Sequence, residues 1–232
     1  MTDHLHEHFF DTRDAASISA ARHLAESLAT QLADCETASL IVTGGSSPLR
    51  CYAELAALEL DWERVRLLIS DERWVESNHA DSNERMLREN LLVKHAAAAH
   101  LLPVYERQTT MTERCRQLND VAPTLPKPIA AALLGMGGDG HIASLFPDAD
   151  NLAQGLDPET AEWYLPVVTE ASPHPRISMT LAALKQCNSL LLLFFGEAKR
   201  EVYEQAKNQA QNYPVAALLR QQQVPVHVYW AP

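Results

Sequence analysis

Two patterns of hydrophobic and polar residues alternate along the chain. Short apolar runs predict buried strands, and they cover residues 38–43, 65–70, 129–134, 164–168, 189–195 and 226–230. Elsewhere apolar residues recur every three or four positions and predict helices, over residues 11–33, 49–58, 81–95, 111–120, 150–155, 181–186, 197–208 and 215–222. This alternation indicates an α/β fold with a doubly wound, mostly parallel, Rossmann-like sheet and helices on both faces. No repeat or linker interrupts the pattern, so we predict one domain over residues 1–232.

Local signals mark the ends of two helices. Asp11 or Thr12 can cap the first helix, because a short polar side chain there accepts a free backbone N–H. Asp81 can cap the helix at 81–95, with Glu84 three residues later as in a capping box.

The first residues carry alternating histidines, at positions 4, 6 and 8. A metal site needs a more defined set of ligands than this spacing supplies. We therefore interpret the segment as a frayed, partly exposed terminus.

A glycine-rich turn follows the predicted strand at 129–134. Residues 135–140 contain four glycines and Asp139, and His141 comes next, before a predicted short helix. Glycine lets the backbone turn sharply and approach a ligand closely, and ligands of open α/β sheets bind at the carboxyl ends of strands. Imidazole is suited to take a proton from water near neutral pH. We therefore predict that His141 carries the chemistry and that Asp139 orients the ring or a substrate hydroxyl.

The same turn formally matches the dinucleotide fingerprint GxGxxG, but two features argue against that function. Asp139 would place a negative charge where pyrophosphate should lie, and residues 148–162 do not read as the required second strand. The sequence also contains no phosphate-binding GxxxxGK[ST] loop, no zinc-type spacing around His141 and no GxSxG nucleophile elbow.

Polar residues follow other predicted strands. Gly44, Gly45 and Ser46 form a turn that precedes a helix, an arrangement that aims backbone N–H groups and hydroxyls at an anion. The charged triplet 71–73 follows the run 65–70 directly. Arg176 and Lys199 also lie near strand ends or helix starts, where they could converge with Arg73 on a phosphate.

Composition narrows the class of protein. The 232 residues carry a formal net charge of −11, which argues against a general binder of nucleic acid or anionic membranes. The four cysteines are widely spaced and indicate free thiols in a reducing compartment. The N-terminus has no apolar signal segment, and no apolar run approaches the length of a membrane span. We therefore expect a soluble cytoplasmic protein.

Five motifs together resemble the 6-phosphogluconolactonase family. They are VTGGSSP at 42–48, SDERWV at 70–75, DSNERM at 81–86, GMGGDGHIASLFP at 135–147 and PRISMT at 175–180. Related glucosamine-6-phosphate deaminase/isomerases share the fold and the DGHIA portion, but the SLFP continuation at 144–147 favours the lactonases. Ile142 departs from the threonine common in lactonases and is closer to the deaminase pattern.

The resemblance implies the NagB/RpiA-like fold and hydrolysis of 6-phospho-D-glucono-1,5-lactone in the pentose phosphate pathway, without metal or organic cofactor. The partner would be this small phosphosugar, and the protein a monomer or homodimer. His141 would be the general base, oriented by Asp139, and N–H groups of the 137–140 turn would stabilise the oxyanion. The residues expected to bind substrate are Gly44, Gly45, Ser46, Asp71, Glu72, Arg73, Asn83, Gly137, Gly138, Arg176 and Lys199.

Two other functions stay open on the same scaffold. One is a glucosamine-6-phosphate deaminase/isomerase, which opens an amino-sugar ring and releases ammonia. The other is a sugar-phosphate sensor without catalytic activity.

Overall fold

Seven parallel strands form the central sheet of the computed structural model, which describes residues 4–209, 211 and 213–232. All neighbouring strands pair in parallel, as the sequence pattern predicts. From one edge to the other they are β1 (Leu5–Phe9), β10 (Val226–Ala231), β9 (Leu190–Phe195), β6 (Ala131–Leu134), β2 (Ala38–Val42), β3 (Val65–Ile69) and β5 (His100–Leu102).

Helices flank this sheet and connect its strands. The α-helices in the described part of the chain are α1 (Arg13–Asp34), α2 (Leu49–Leu55), α3 (Asn83–Asn90), α4 (Met111–Val121), α5 (Leu152–Leu156), α6 (Leu181–Leu184), α7 (Glu197–Lys207) and α8 (Pro214–Arg220). Thr12 caps α1, because its Oγ1 accepts the N–H of Ala15 at 3.2 Å. Within the described residues, no helix combines the length and apolar character that a membrane crossing would require.

The chain leaves the middle of the sheet in both directions. It proceeds from β2 through β3 to β5 at one edge, then returns to place β6 on the other side of β2, followed by β9 and β10. The strand order therefore switches between β2 and β6, whose residues are all buried. In open α/β sheets the carboxyl ends of strands diverge at such a switch and leave a crevice for ligands.

A second, antiparallel sheet of three strands, which the sequence did not predict, lies beside this crevice. Its strands are β4 (Asp71–Arg73), β8 (Arg176–Met179) and β7 (Tyr164–Val167), with β8 in the middle. The charged triplet at 71–73 is thus an edge strand and not only a loop after β3. Its pairing places Arg73 opposite Arg176.

His6 and His8 belong to a strand and His4 is buried just before it, so the expectation of a frayed terminus is wrong. β1 pairs along its whole length with β10, and the imidazole of His6 stacks on that of His227 at 4.6 Å between ring centroids. His8 Nε2 lies 3.3 Å from Nδ1 of His227. Side-chain stacking therefore accompanies the backbone pairing that orders this segment.

Two predicted helices differ from the structure. No helix follows His141: Ala143 has φ +48°, and a tight turn closes from the N–H of Leu145 to the carbonyl of Ile142. The helix predicted from 81 to 95 is shorter, and its cap is Ser82 in place of Asp81. Ser82 Oγ accepts the N–H of Arg85 at 3.2 Å, because the chain enters the helix one residue later than expected.

Candidate functional site

A cleft opens at the switch between β2 and β6. Its walls come from the turns after these two strands, from β4 and β8, and from the starts of α3 and α7. It has a volume of about 240 Å³. The lining residues are Thr43, Gly44, Gly45, Ser46, Ser47, Pro48, Asp71, Arg73, Asn83, Gly135, Met136, Gly137, His141, Ala143, Arg176 and Lys199.

His141 and Asp139 form a hydrogen-bonded pair at one wall of the cleft. Nδ1 of His141 lies 2.6 Å from Oδ1 of Asp139, which also accepts the backbone N–H of His141 at 3.2 Å. A carboxylate at Nδ1 favours the tautomer that leaves the Nε2 lone pair free to take a proton. Burial works to raise the pKa of Asp139, but the hydrogen bonds and charge of His141 outweigh it and lower that pKa overall. Asp139 therefore stays ionised beside the ring.

Two glycines allow the turn to hold this pair. A Cβ on Gly137 would lie 2.5 Å from Oδ1 of Asp139 and closer still to Nδ1 of His141. Gly140 has φ +76°, a conformation that favours glycine. The N–H of Gly137 donates to the carbonyl of His141 at 2.9 Å, and that of Gly140 to the carbonyl of Gly137 at 3.1 Å. These two N–H groups are engaged within the turn, so the prediction that the turn stabilises an oxyanion now concerns the N–H groups of Gly138 and Asp139.

A buried polar network fixes Arg176. Its Nη1 donates to Oγ of Ser144 at 3.3 Å and lies 3.6 Å from Oδ2 of Asp71, while its Nε donates to Oγ of Ser172 at 3.0 Å. Ser144 also donates its hydroxyl to Oδ2 of Asp71 at 2.6 Å. The side chains of Asp71 and Arg176 are only 7% and 12% exposed, so little water screens their charges. Burial lowers the pKa of Arg176, and guanidinium remains charged even so.

Phe146 lies between the imidazole and this cation. Its ring centroid is 4.2 Å from that of His141, and the Cζ of Arg176 lies 5.2 Å from the Phe146 centroid. These contacts restrict the His141 ring and add a cation–π interaction to Arg176. Ser144 and Phe146 both belong to the SLFP segment, so this segment holds Arg176 and the His141 ring in place.

Two further cations line the cleft. Arg73 donates its Nη1–H to the carbonyl of Asp81 at 2.6 Å. Burial is the largest cause of the lowered pKa of Arg176, and the positive charge of Arg73 lowers it further. An anion between the two guanidinium groups would remove their mutual repulsion. Near the His141–Asp139 pair, burial lowers the pKa of Lys199 while the charge of Asp139 opposes that effect.

Glu72 supports the wall of the cleft and does not line it. Its buried carboxylate accepts four hydrogen bonds at 2.7 to 3.1 Å. Burial raises the pKa of Glu72 to about 7, although the backbone donors act to lower it. All four partners are donors, which suits an ionised carboxylate at a helix N-terminus. They are the N–H groups of Arg73, Asn83 and Glu84 and the hydroxyl of Ser82.

We expect Glu72→Gln to lower the free energy of unfolding by about 1–3 kcal/mol, because an amide NH₂ would face backbone donors inside the protein. Urea unfolding above pH 7, where the Glu72 carboxylate is ionised, measures the change. Glu89→Gln is the matched control, since Glu89 lies on α3, whose N-terminus Glu72 contacts, and has an exposed carboxylate paired to Arg85. Equal stability of the two variants would show that the Glu72 carboxylate is not what organises this wall.

Asn83 connects β4 to the turn that follows β2. Its Nδ2 donates to the carbonyl of Asp71 at 2.7 Å. Its amide also packs against Gly44, where a Cβ would overlap the Asn83 side chain. Gly44 therefore permits close contact between the turn after β2 and the start of α3.

Known proteins match nearly the whole of this chain. The family model described as glucosamine-6-phosphate isomerases/6-phosphogluconolactonase matches residues 11–230. The chain belongs to this family. Among curated members, a 6-phosphogluconolactonase from Mesorhizobium japonicum is 34% identical over 223 residues, which cover 96% of this chain and 94% of that protein. One from Pseudomonas aeruginosa is 35% identical over 214 residues, covering 91% and 89%.

A solved structure of the isomerase/lactonase family has the same fold. The crystal structure of a 6-phosphogluconolactonase from Shewanella baltica superimposes with a TM-score of 0.93 at 32% identity and covers 100% of both chains. The motifs that carried the family resemblance thus led to the correct family and fold.

The structure brings most of the predicted site residues to one place. Ten of them line the cleft: Gly44, Gly45, Ser46, Asp71, Arg73, Asn83, Gly137, His141, Arg176 and Lys199. Asp139 lies behind His141, Glu72 supports the wall, and Gly138 lies exposed in the turn outside the lining. Ile142 is fully buried and does not line the cleft, so packing alone accounts for its apolar side chain.

Proposed function

We propose that this protein hydrolyses 6-phospho-D-glucono-1,5-lactone to 6-phospho-D-gluconate, as the lactonase of the oxidative branch of the pentose phosphate pathway. The observation that carries this proposal is the His141–Asp139 pair, 2.6 Å apart at a cleft that Arg73, Arg176 and Lys199 also line. A base beside clustered cations suits a substrate that joins a hydrolysable ester to a phosphate.

His141 acts as the general base. With Nδ1 held by Asp139, Nε2 takes a proton from water as the water oxygen attacks the lactone carbonyl. The carbonyl becomes a tetrahedral oxyanion; when it collapses, the bond to the ring oxygen breaks and His141 returns the proton to that oxygen. The ionised Asp139 stabilises the imidazolium between the two transfers.

Two N–H groups of the 137–140 turn are engaged, so a positive group from another strand end would add to the stabilisation of the oxyanion. Lys199 is suited to this role, since it lies near enough to Asp139 for their charges to interact. The phosphate lies between Arg73 and Arg176, which face each other across β4 and β8. The turn of Gly44, Gly45 and Ser46 supplies N–H and hydroxyl donors to the sugar or phosphate.

We expect Arg73→Ala and Arg176→Ala each to raise KM about 10- to 100-fold with a smaller change in kcat. Each guanidinium would bind the phosphate in the ground state and the transition state alike, and a charged hydrogen bond contributes about 1.5–3 kcal/mol. Arg116→Ala is the control, because its side chain is exposed on α4 and pairs only with acidic residues there. A fall in kcat at unchanged KM would show that these arginines act at the reacting carbon and do not bind the phosphate.

Acid release from freshly prepared lactone tests the proposed activity. We expect a rate well above the spontaneous hydrolysis measured without protein, and we expect it to persist after treatment with EDTA. Binding of 6-phosphogluconate without any turnover would favour a sensor instead. Activity that EDTA abolished and a divalent ion restored would contradict a mechanism in which His141 alone activates water.

A further inference from the structure

Two loops meet at the rim of the cleft through a cluster of two histidines and one aspartate. His174 Nε2 lies 2.9 Å from Oδ2 of Asp81, and the ring of His79 lies 5.4 Å from that of His174 between centroids. The backbone also joins these loops, since the N–H of Trp74 donates to the carbonyl of Pro175 at 2.8 Å. None of the three cluster residues lines the cleft, so the proposed hydrolysis does not use them.

The cluster has the composition and spacing of a metal site. One ligand atom from each of His79, Asp81 and His174 lies within 4.8 Å of the other two. Asp81 Oδ2 is 3.8 Å from Nδ1 of His79 and 2.9 Å from Nε2 of His174. Ligand atoms on one tetrahedral zinc ion are separated by about 3.3 Å, given bonds of about 2.0–2.2 Å. The two observed distances lie on either side of that value, so small side-chain rotations suffice.

We propose that this cluster binds Zn²⁺ through His79, Asp81 and His174, with water as the fourth ligand. Two imidazoles and a carboxylate suit zinc better than calcium or magnesium, which prefer oxygen ligands. Asp81 is available, because Arg73 donates to its backbone carbonyl and leaves the carboxylate to the histidines. The backbone N–H of Asp81 donates to Nδ1 of His79 at 3.1 Å. Zinc at this Nδ1 would replace that hydrogen bond, and the N–H would then donate to water, because the loop is exposed.

The ion would connect the two loops that support the arginines of the cleft. One loop holds Arg73 through the carbonyl of Asp81. The other holds Arg176 through Ser172, whose hydroxyl in turn donates to the carbonyl of His174 at 3.0 Å. Bound zinc therefore stabilises the folded protein by linkage, and none of its three ligands lines the cleft.

Calorimetric titration of the EDTA-treated full chain with ZnCl₂ tests this site without any substrate. We expect binding that weakens at least about tenfold in His174→Ala and in His79→Ala. Thermal unfolding of the same samples should show a zinc-dependent rise in the midpoint for wild type that both variants lose. His6→Ala is the matched control, because His6 is an exposed histidine of the separate cluster formed with His8 and His227.

Zinc affinity unchanged in His174→Ala and His79→Ala, or lost only in His6→Ala, would overturn the proposal. So would the absence of binding to wild type. Crystals soaked in ZnCl₂ give a second measurement that does not depend on the variants folding. An anomalous peak at about 2.0–2.2 Å from His79, Asp81 and His174 supports the site, and a peak elsewhere alone contradicts it.

Discussion

Replacing His141 with alanine is expected to lower kcat for lactone hydrolysis by about 10²–10⁴-fold, the usual contribution of general-base catalysis. The carboxylate of Asp139 holds Nδ1 of the His141 ring, which leaves Nε2 to take a proton from water. The His141 side chain is 27% exposed, so its removal opens little space in the core. We therefore expect the folded structure and the affinity for 6-phosphogluconate to change little.

Initial rates of acid release, corrected for spontaneous hydrolysis, measure this effect. His100→Ala is the control, since His100 is an exposed residue at the start of β5 and does not line the cleft. Asp139→Asn should show a loss in the same direction, because an amide cannot stabilise the imidazolium as a carboxylate does. Near-normal turnover by His141→Ala would mean that another group activates water.

Gly137→Ala is expected to reduce kcat at least about tenfold by displacing the same pair. The new Cβ would overlap Nδ1 of His141 and lie 2.5 Å from Oδ1 of Asp139, so one of them must move. Catalytic geometry tolerates little displacement, and an error of about 1 Å can reduce the rate by about 10²-fold. Thermal unfolding and kinetics of the purified variant separate loss of activity from loss of fold.

Gly138→Ala is a matched control at the next residue. A Cβ there meets no atom within 4 Å, and the residue is exposed outside the cleft. We expect its kcat to stay close to that of wild type. Equal losses in the two variants would mean that the flexibility of the turn matters, and not the contact between Gly137 and the His141–Asp139 pair.

The sequence predicts the central sheet well because burial and local pattern coincide there. The apolar run ending at Phe195 lies inside a parallel sheet, so its side chains face protein on both sides. The same reasoning does not predict β1. Its histidines look like a polar terminus, although His6 stacks on His227, more than two hundred residues away, in an adjacent parallel strand.

The location of the candidate site could be predicted from the sequence, and the contacts that support it less so. His141 and the cations stand at strand ends, which the pattern locates. The pairing of Arg73 with Arg176 requires the small antiparallel sheet, whose strand β4 is three residues long and charged. From the sequence Glu72 was predicted to bind substrate. Its partners at the start of α3 are ten to twelve positions away and follow no periodic pattern, so its supporting role could not be predicted.

The most direct test compares the two activities for which the family is named in one preparation of this protein. Acid release from fresh 6-phospho-D-glucono-1,5-lactone and ammonia release from glucosamine 6-phosphate are measured side by side. The assignment of His141 as a base for water predicts rapid acid release, its loss in His141→Ala, and no ammonia above background. Ammonia release without turnover of the lactone would contradict it.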